Sequence, residues 1–281
     1  MKIAILLTTF NRKEKTIACL RSLKTQQLPV TVSLDTYLTD DNSSDGTREA
    51  VHSAFPEVKV FKGSGSLYWA GGMRNSWRQA LNSGYDQYLL LNDDTVLHPD
   101  AIAKLIDYNA HQESPKDWAI CIGNTCDETN KITYGGKRLN SKFSVDSSFV
   151  FSEDSFVECD MGNANIMLVP DYIVQKIGIL SDAFTHGIAD YDYTLKARKA
   201  GFNVLTAPGF LGICKHDHPN NWKSAGSKLK DRLAFLKSPK GLAYHEYLSF
   251  TWNHFPVSYP AIYTKLWLKT FFPILWDTFK R

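Results

Sequence analysis

The sequence predicts an α/β fold with a mostly parallel central sheet, and three observations predict it. Short apolar runs alternate with helix-period segments through the first hundred residues. Several of those runs end directly on acidic or hydroxyl residues, which is where a parallel sheet gathers its ligand groups. At 281 residues, 43% hydrophobic and 22% charged, the chain suits one large domain with a short C-terminal addition rather than two equal domains.

The elements follow in order. Residues 2–8 read as a buried strand, and 13–25 place Ile17, Leu20 and Leu23 at helical spacing after a polar start at Asn11. Residues 30–38 give a second strand ending at Asp40 and Asp41, Ser44, Asp45 and Gly46 punctuate the turn, and a helix covers 46–54. Val58 to Phe61 is a third, short strand. The glycine-rich stretch Gly63 to Gly72 leads into a helix over 73–83, Gln87 to Leu91 is a strand running into Asn92, Asp93 and Asp94, and Pro99 opens the next helix. The second half is less regular. It has strands at 118–122, 131–134, 148–151, 156–159, 165–169 and 203–207 with helices at 171–177 and 190–200, a mixed-sheet extension of the same domain. No repeat or low-complexity linker interrupts it, and the one boundary falls near residue 220.

Composition narrows the setting. The five cysteines, Cys19, Cys121, Cys126, Cys159 and Cys214, form an odd set without a CxxC pair, which points to reduced thiols rather than a disulfide frame or a metal-thiolate site. The apolar run at the N-terminus is too short to span a bilayer and lacks a small-residue cleavage site, so a cytoplasmic location is expected. Residues 222–281 carry ten Lys/Arg against three Asp/Glu; with +3 for the whole chain, residues 1–221 have a net charge of −4. A basic tail thus follows a mildly acidic body, and no nucleic-acid partner is expected.

The strongest chemical feature is the adjacent pair Asp93 and Asp94 after the apolar run Tyr88 to Leu91. Hard oxygen ligands at a strand end suit Mg²⁺ or Mn²⁺ bridging a diphosphate. An Asp-Asp-Thr turn serves a helix N-terminus equally well. The run 40–47, DDNSSDGT, repeats the pattern, either as acceptors for a base or ribose or as a plain capped turn. Thr8, Thr9, Phe10, Asn11 and Arg12 put hydroxyls, an aromatic face and a cation at the end of the first strand. The stretch GSGSLYWAGGMR, residues 63–74, offers backbone freedom with Trp69 and Arg74, so that the backbone approaches a phosphorylated ligand while Arg74 neutralises it. No GKS or GKT follows its glycines and no GxGxxG stands at the first turn, which removes support for triphosphatase and dinucleotide readings. Asp190 and Asp192 open a helical pattern, where a carboxylate either caps the helix or acts as a general base if its surroundings keep its pKa high. His216 follows a strand and either supplies a further metal ligand or is simply solvated.

Taken in order, TTFNR at 8–12, DDNSSDGT at 40–47, WAGGMRN at 69–75, LLLNDDT at 89–95, and DYDYTLKARKAGF at 190–202 followed by APG at 207–209 resemble glycosyltransferase family 2 across about residues 3–217. Within it the chain looks most like the bacterial rhamnosyltransferase-like branch that builds cell-surface polysaccharide. The resemblance implies an inverting enzyme with the A-type nucleotide-sugar fold. This is a single Rossmann-like nucleotide-sugar-binding domain over 1–220, with a nucleotide-binding half at 1–95 and a mixed-sheet acceptor half at 96–220, and a C-terminal helical, aromatic-rich extension at 221–281. It implies that Thr8, Phe10, Arg12, Asp41 and Asp93 hold the nucleotide, that Asp94 holds Mg²⁺ or Mn²⁺, and that Asp190 is the catalytic base; the residue pattern itself adds Arg74 to the nucleotide set and His216 as a further metal-ligand candidate. Trp69, Gly71, Gly162, Asn163 and Asp192 fall in the implied donor and acceptor pocket. Two departures stand out: Ala189 replaces the first acid of a Glu-Asp pair, and Asn92 takes the first place of the Asp-x-Asp pattern.

The donor implied is a UDP- or dTDP-sugar, dTDP-rhamnose among them, and the acceptor a hydroxyl of a glycan or lipid-linked glycan. A sugar nucleotidyltransferase also uses paired aspartates on a parallel sheet, but TTFNR lacks the glycines such enzymes carry after the first strand. A non-catalytic nucleotide-sugar binder is the rival that Ala189 raises. Residues 244–281 are crowded with aromatics, including Trp252, Trp267, Phe271, Phe272 and Trp276, with Lys265, Lys269, Lys280 and Arg281 between them. That pattern fits a helix on the anionic inner face of the plasma membrane, packing on the main domain, or a homodimer interface.

Overall fold

The run Ile3 to Leu7 is fully buried within the first strand, β1 (Lys2–Thr9), as a strand flanked by helices on both faces of a parallel sheet must be. The computed structural model describes residues 1–215 and 227–274. From β1 the chain continues through α1 (Lys13–Lys24), β2 (Ser33–Asp40), α2 (Thr47–Ala54), β3 (Lys59–Lys62), α3 (Tyr68–Ala80), β4 (Gln87–Leu91), β5 (Val96–Leu97) and α4 (Ala101–Ala110). The second half adds β6 (Ile120–Cys126), β7 (Ile132–Tyr134), β8 (Gly136–Ser141), β9 (Ser144–Phe149), β10 (Val157–Glu158), β11 (Met161–Gly162), β12 (Ile166–Pro170), α5 (Asp171–Ile177), α6 (Ala189–Lys199) and β13 (Val204–Ile213). Three helices close the described chain: α7 (Leu229–Lys237), α8 (Tyr244–His254) and α9 (Tyr259–Phe271).

The main sheet runs β10-β13-β6-β12-β4-β1-β2-β3, with β5 on β13 and β7 on β6. β3, β2, β1 and β4 are mutually parallel, β12 is antiparallel to both β4 and β6, and β13 is parallel to β6. This is the α/β, mostly parallel core with a mixed second half that the sequence predicts. Thr9 pairs with Asp40, so the carboxyl ends of β1 and β2 are flush. The chain reverses its strand order between β1 and β4, and the crevice above that reversal is where such sheets take ligands.

Side-chain alternation along β1 separates two cores. Ile3, Ile5 and Leu7 pack with Ile17, Leu20 and Leu23 of α1 and Ile102 and Leu105 of α4. Ala4 and Leu6 face Met73 and Trp77 of α3, Ile173 of α5 and Tyr193 of α6. A small antiparallel sheet, β11-β8-β9, stands beside the main one.

Two local expectations change. The glycine-rich stretch is helical from Tyr68, five residues before the expected start, because Trp69, Ala70, Met73, Trp77 and Ala80 continue one apolar pattern through Gly71 and Gly72. Gly72 lies against Thr8, where a Cβ would collide, so its small size brings α3 onto β1. The second is a hairpin, β8 with β9, where the sequence pattern shows only one strand at 148–151. Its strands carry few apolar residues, and a short, half-exposed ribbon leaves a weak alternation signal.

The C-terminal helices have a small core of their own around Leu236, Tyr244, Leu248 and Leu266. α8 also buries Phe250 against Ala70, Phe184, Ala189 and Leu195 of the main body, with Phe255 just past its end in the same cluster. Among the described residues no helix is long and apolar enough to cross a membrane.

Candidate active site

Two adjoining cavities open at the carboxyl ends of β1 and β4. The first, about 390 Å³, is lined by Thr8, Thr9, Phe10, Arg12, Asp41, Gly65, Tyr68, Trp69 and Asp93, with His186 and, from the C-terminal helices, Ser238 and Lys240. The second, about 190 Å³, continues past Asn92 and Asp94 to Asn163, Asp190 and Tyr191. Arg12, Trp69, Asp93 and His186 line both, so they stand at the junction. Trp69 is fixed there by its indole N–H, which donates to Asn92 Oδ1 at 2.7 Å.

The carboxylate pair is held by one cation. Arg12 Nη1 lies 2.7 Å from Asp94 Oδ2 and 3.3 Å from Asp93 Oδ1. Thr16 Oγ1 donates to Asp93 Oδ2 at 3.3 Å. Burial pushes the Asp93 carboxyl up to about 6, with help from the charge of Asp94, against the pull of Arg12 and the hydroxyls of Thr9 and Thr16. The Cys214 thiol points at Asp94 Oδ1 from 3.6 Å, and burial pushes that thiol up to about 12.

Asp190 sits at the opposite end of the second cavity, at the start of α6. Its Oδ1 accepts from the Tyr191 amide at 2.9 Å, and its Oδ2 from the Ala164 amide at 3.2 Å and the Asn163 side chain at 3.4 Å. Burial raises its pKa above the usual carboxylate value, opposed by those hydrogen bonds and by the charge of Lys137. Lys137 Nζ donates to the Tyr191 hydroxyl at 2.7 Å, and Asn163 donates to the same oxygen at 3.1 Å. Ile188, just before α6, takes a left-handed backbone (φ 59°), which turns the chain so that Asp190 faces the cavity.

The family model for glycosyl transferase family 2 matches residues 4–155, more than half of the chain. The chain belongs to glycosyl transferase family 2. Among solved structures, this family 2 chain is similar to the mannosyltransferase PcManGT from Pyrobaculum calidifontis, solved in complex with GDP-Man and Mn²⁺: 12% identity, TM-score 0.56, covering 82% of this chain and 59% of that one. It is also similar to S. aureus TarS 1–349 in complex with UDP: 16% identity, TM-score 0.53, covering 76% of this chain and 60% of that one. The same TarS fragment in complex with UDP-GlcNAc matches at 16% identity and TM-score 0.53 over 84% and 66%. At such identities the likeness is one of fold, and the chain spans about three fifths of the length of the first two. No curated protein sequence matches it.

The residues expected in the site of this family 2 chain divide into three groups. Thr8, Phe10, Arg12, Trp69, Asp93, Asp94, Asn163 and Asp190 line the cavities. Asp41 also lines the first, but both of its oxygens are engaged: Oδ1 accepts from the Gly65 amide at 2.7 Å and Oδ2 from those of Leu67 and Tyr68 at 2.8 and 3.2 Å. It shapes the cavity wall, and Gly63 leaves room for that close approach.

The remaining expected residues lie elsewhere. Arg74 lines neither cavity, which corrects its expected place: it donates to the carbonyls of Ser181 and Phe184 and pairs with Asp182 at 2.9 Å. Gly71 packs on Leu67 and Gly162 on Ile122, so both are close-packing positions rather than pocket walls. Asp192 points to His254 of α8, with 2.7 Å between Oδ1 and Nε2. His216 lies outside the described residues.

Sequence reasoning missed Tyr68, His186, Lys137, Tyr191, Ser238 and Lys240. Tyr191, adjacent to Asp190, and Tyr68, inside the glycine-rich stretch beside Trp69, were within reach; the others come from segments whose pattern carries no site signature.

For a divalent metal, the donor set of this family 2 chain is two adjacent carboxylates. Among the described residues no group of three or more His, Cys, Asp or Glu side chains is placed to hold one. Mg²⁺ and Mn²⁺ commonly rest on one or two carboxylates plus substrate phosphates and water, so the pair fits such an ion together with a diphosphate.

Proposed function

We propose that this family 2 chain is an inverting glycosyltransferase that moves a sugar from a nucleoside-diphosphate carrier to an acceptor hydroxyl. One observation carries the reading: a carboxylate pair and a separate, buried carboxylate line one cavity, which joins a second, larger one at Arg12 and Trp69. The first cavity takes the nucleoside, with Phe10 offering an aromatic face and the Asp41-braced loop closing one side. The diphosphate crosses the junction at Arg12. The sugar lies under Trp69, and the acceptor enters the second cavity beside Asn163 and Tyr191.

Asp190 takes the proton from the acceptor hydroxyl while that oxygen attacks the anomeric carbon. The bond from that carbon to the diphosphate breaks as the new glycosidic bond forms, so configuration inverts. Apart from the pair at the junction, Asp190 is the one carboxylate lining the second cavity among the described residues, which suits a single displacement by one base. Arg12 offsets the charge that develops on the leaving diphosphate. A Mg²⁺ or Mn²⁺ held by Asp94, with Asp93 beside it, would supply further electrostatic stabilisation of that group.

The solved structures of similar fold hold GDP-Man with Mn²⁺, UDP, and UDP-GlcNAc, which supports a nucleotide-sugar donor here without choosing its base. dTDP-rhamnose stays among the donors we propose, with a glycan or lipid-linked glycan as acceptor. The exposed side chains Leu268, Phe271, Phe272 and Ile274 at the end of α9, near Lys265 and Lys269, suit an anionic membrane surface where a lipid-linked acceptor resides. Failure to bind anionic vesicles at low salt would leave packing between two copies as the role of that face.

Calorimetry with UDP, dTDP, GDP and CMP, each with and without Mn²⁺ or Mg²⁺, tests the donor site. One diphosphate should bind with the metal and lose that dependence in Asp94→Ala. No binding under any condition would remove the transferase reading.

A further inference from the structure

The only ion pairs of Asp93 and Asp94 among the described residues run to the same nitrogen, Nη1 of Arg12, and that geometry has a consequence for how the site is loaded. The two carboxylates are nearly buried, with side chains 7% and 12% exposed, whereas Arg12 is 39% exposed and lines both cavities. The anions are therefore the fixed partners and the guanidinium the one with room to move. Its backbone is pinned: Asn11 just before it receives the Ser44 amide on its side chain at 2.7 Å and donates its own amide to Ser43 Oγ at 2.9 Å, and the Arg12 carbonyl accepts from Thr16. Only the side chain can swing.

We propose that Arg12 is the resident counter-ion of the carboxylate pair, and that a divalent cation enters only when a diphosphate draws Arg12 off it. This rests on the donor-site reading above and deepens it. A guanidinium and a divalent cation repel each other if both sit on the same oxygens. Two carboxylates give a hard cation at most part of its oxygen shell, so an ion arriving alone must displace Arg12 for an incomplete site. A diphosphate changes both terms. Its oxygens complete the shell, and they offer the guanidinium a bidentate partner at the junction where the side chain already points. Cation and nucleotide then bind as partners, each raising the affinity of the other by one common factor.

The test is Mn²⁺ titration of the full chain, read by electron paramagnetic resonance of the free ion, alone and with saturating UDP, GDP or inorganic pyrophosphate. For the wild type, Mn²⁺ alone should bind roughly tenfold or more weakly than with the diphosphate that the chain accepts. Arg12→Ala should bind Mn²⁺ alone several-fold more tightly than the wild type does, and the gain from diphosphate should shrink to the part that comes from its oxygens completing the cation's shell. Arg12→Gln, of similar length and uncharged, should behave likewise and serves if the alanine variant does not fold.

Equal Mn²⁺ affinity of the wild type with and without a diphosphate that binds would overturn the proposal. So would Arg12 variants that leave Mn²⁺ affinity unchanged. If no diphosphate binds to the wild type at all, the donor-site reading fails instead, and the Mn²⁺ affinities of wild type and variants still decide whether Arg12 occupies the cation's place.

Discussion

The two carboxylate stations of this protein use the same side chain in opposite surroundings. Asp93 and Asp94 share one guanidinium within 3.3 Å, while Asp190 is held by two backbone amides and Asn163, with the Lys137 charge acting on it from beyond hydrogen-bond range. A close counter-charge suits a group that holds charge in place, and here it only opposes the burial that pushes Asp93 up to about 6. Amide bonds around a buried carboxylate orient it and still let its pKa rise, which suits a group that takes up a proton. The chemistry of each station is set by its neighbours and not by the aspartate.

The largest effect should come from erasing the proton-accepting station. Asp190→Asn keeps the shape and much of the amide network, and is expected to lower transfer by about a hundredfold or more while nucleotide affinity stays near that of the wild type. Near-normal turnover in a steady-state assay would end the division of labour drawn above. Because burial raises the Asp190 pKa, wild-type turnover should fall as pH drops through a value above the ordinary carboxylate range.

A second variant probes the charge-holding station through stability. The Asp93 carboxyl at about 6 binds its proton more tightly folded than unfolded, where the value is near 3.9. Its contribution favours folding below about pH 4 and is lost as pH rises through about 6. Asp93→Asn mimics the protonated form, so it should stabilise the unliganded chain at pH 8 by on the order of 3 kcal/mol, with the gain fading by pH 4. Equal denaturation midpoints at pH 8 would mean that Arg12 compensates the buried charge fully.

The smallest change sharpens the contrast from the other side. Lys137 is the cation whose field reaches Asp190, and removing it as Lys137→Met should move the acid limb of the pH-rate profile upward. Turnover at the optimum should stay within about tenfold of the wild type. A limb that does not move would assign Lys137 to holding Tyr191 and nothing more.

Much of this was legible in the sequence where local pattern decides. An apolar strand followed at once by acids gives away the ends of β2 and β4, and both lie at the crevice. Pattern was less informative where one residue type serves two ends. Asp41 was visible as an acid at a strand end, but not that the amides of residues 65, 67 and 68 would engage both its oxygens. Gly71 and Gly72 were read as backbone freedom for a ligand, when a close helix-to-strand contact asks for the same small residue. Contacts between distant segments left no trace at all: Ser238 and Lys240 reach the first cavity from more than two hundred residues beyond Thr8, and nothing in their neighbourhood marks them.

The attachment of α8 reaches further than packing. Glu246 receives both the amide and the hydroxyl of Thr185, at 2.9 and 2.6 Å, and His254 meets Asp192 two residues beyond Asp190. The segment carrying Asp190 is therefore clamped on both sides by α8, and segment and helix both lie beyond the family match at residues 4–155. Chimeras that graft this catalytic body onto the tail of a relative would inherit mismatched clamps, and should be designed with Thr185, Asp192, Glu246 and His254 exchanged as a set.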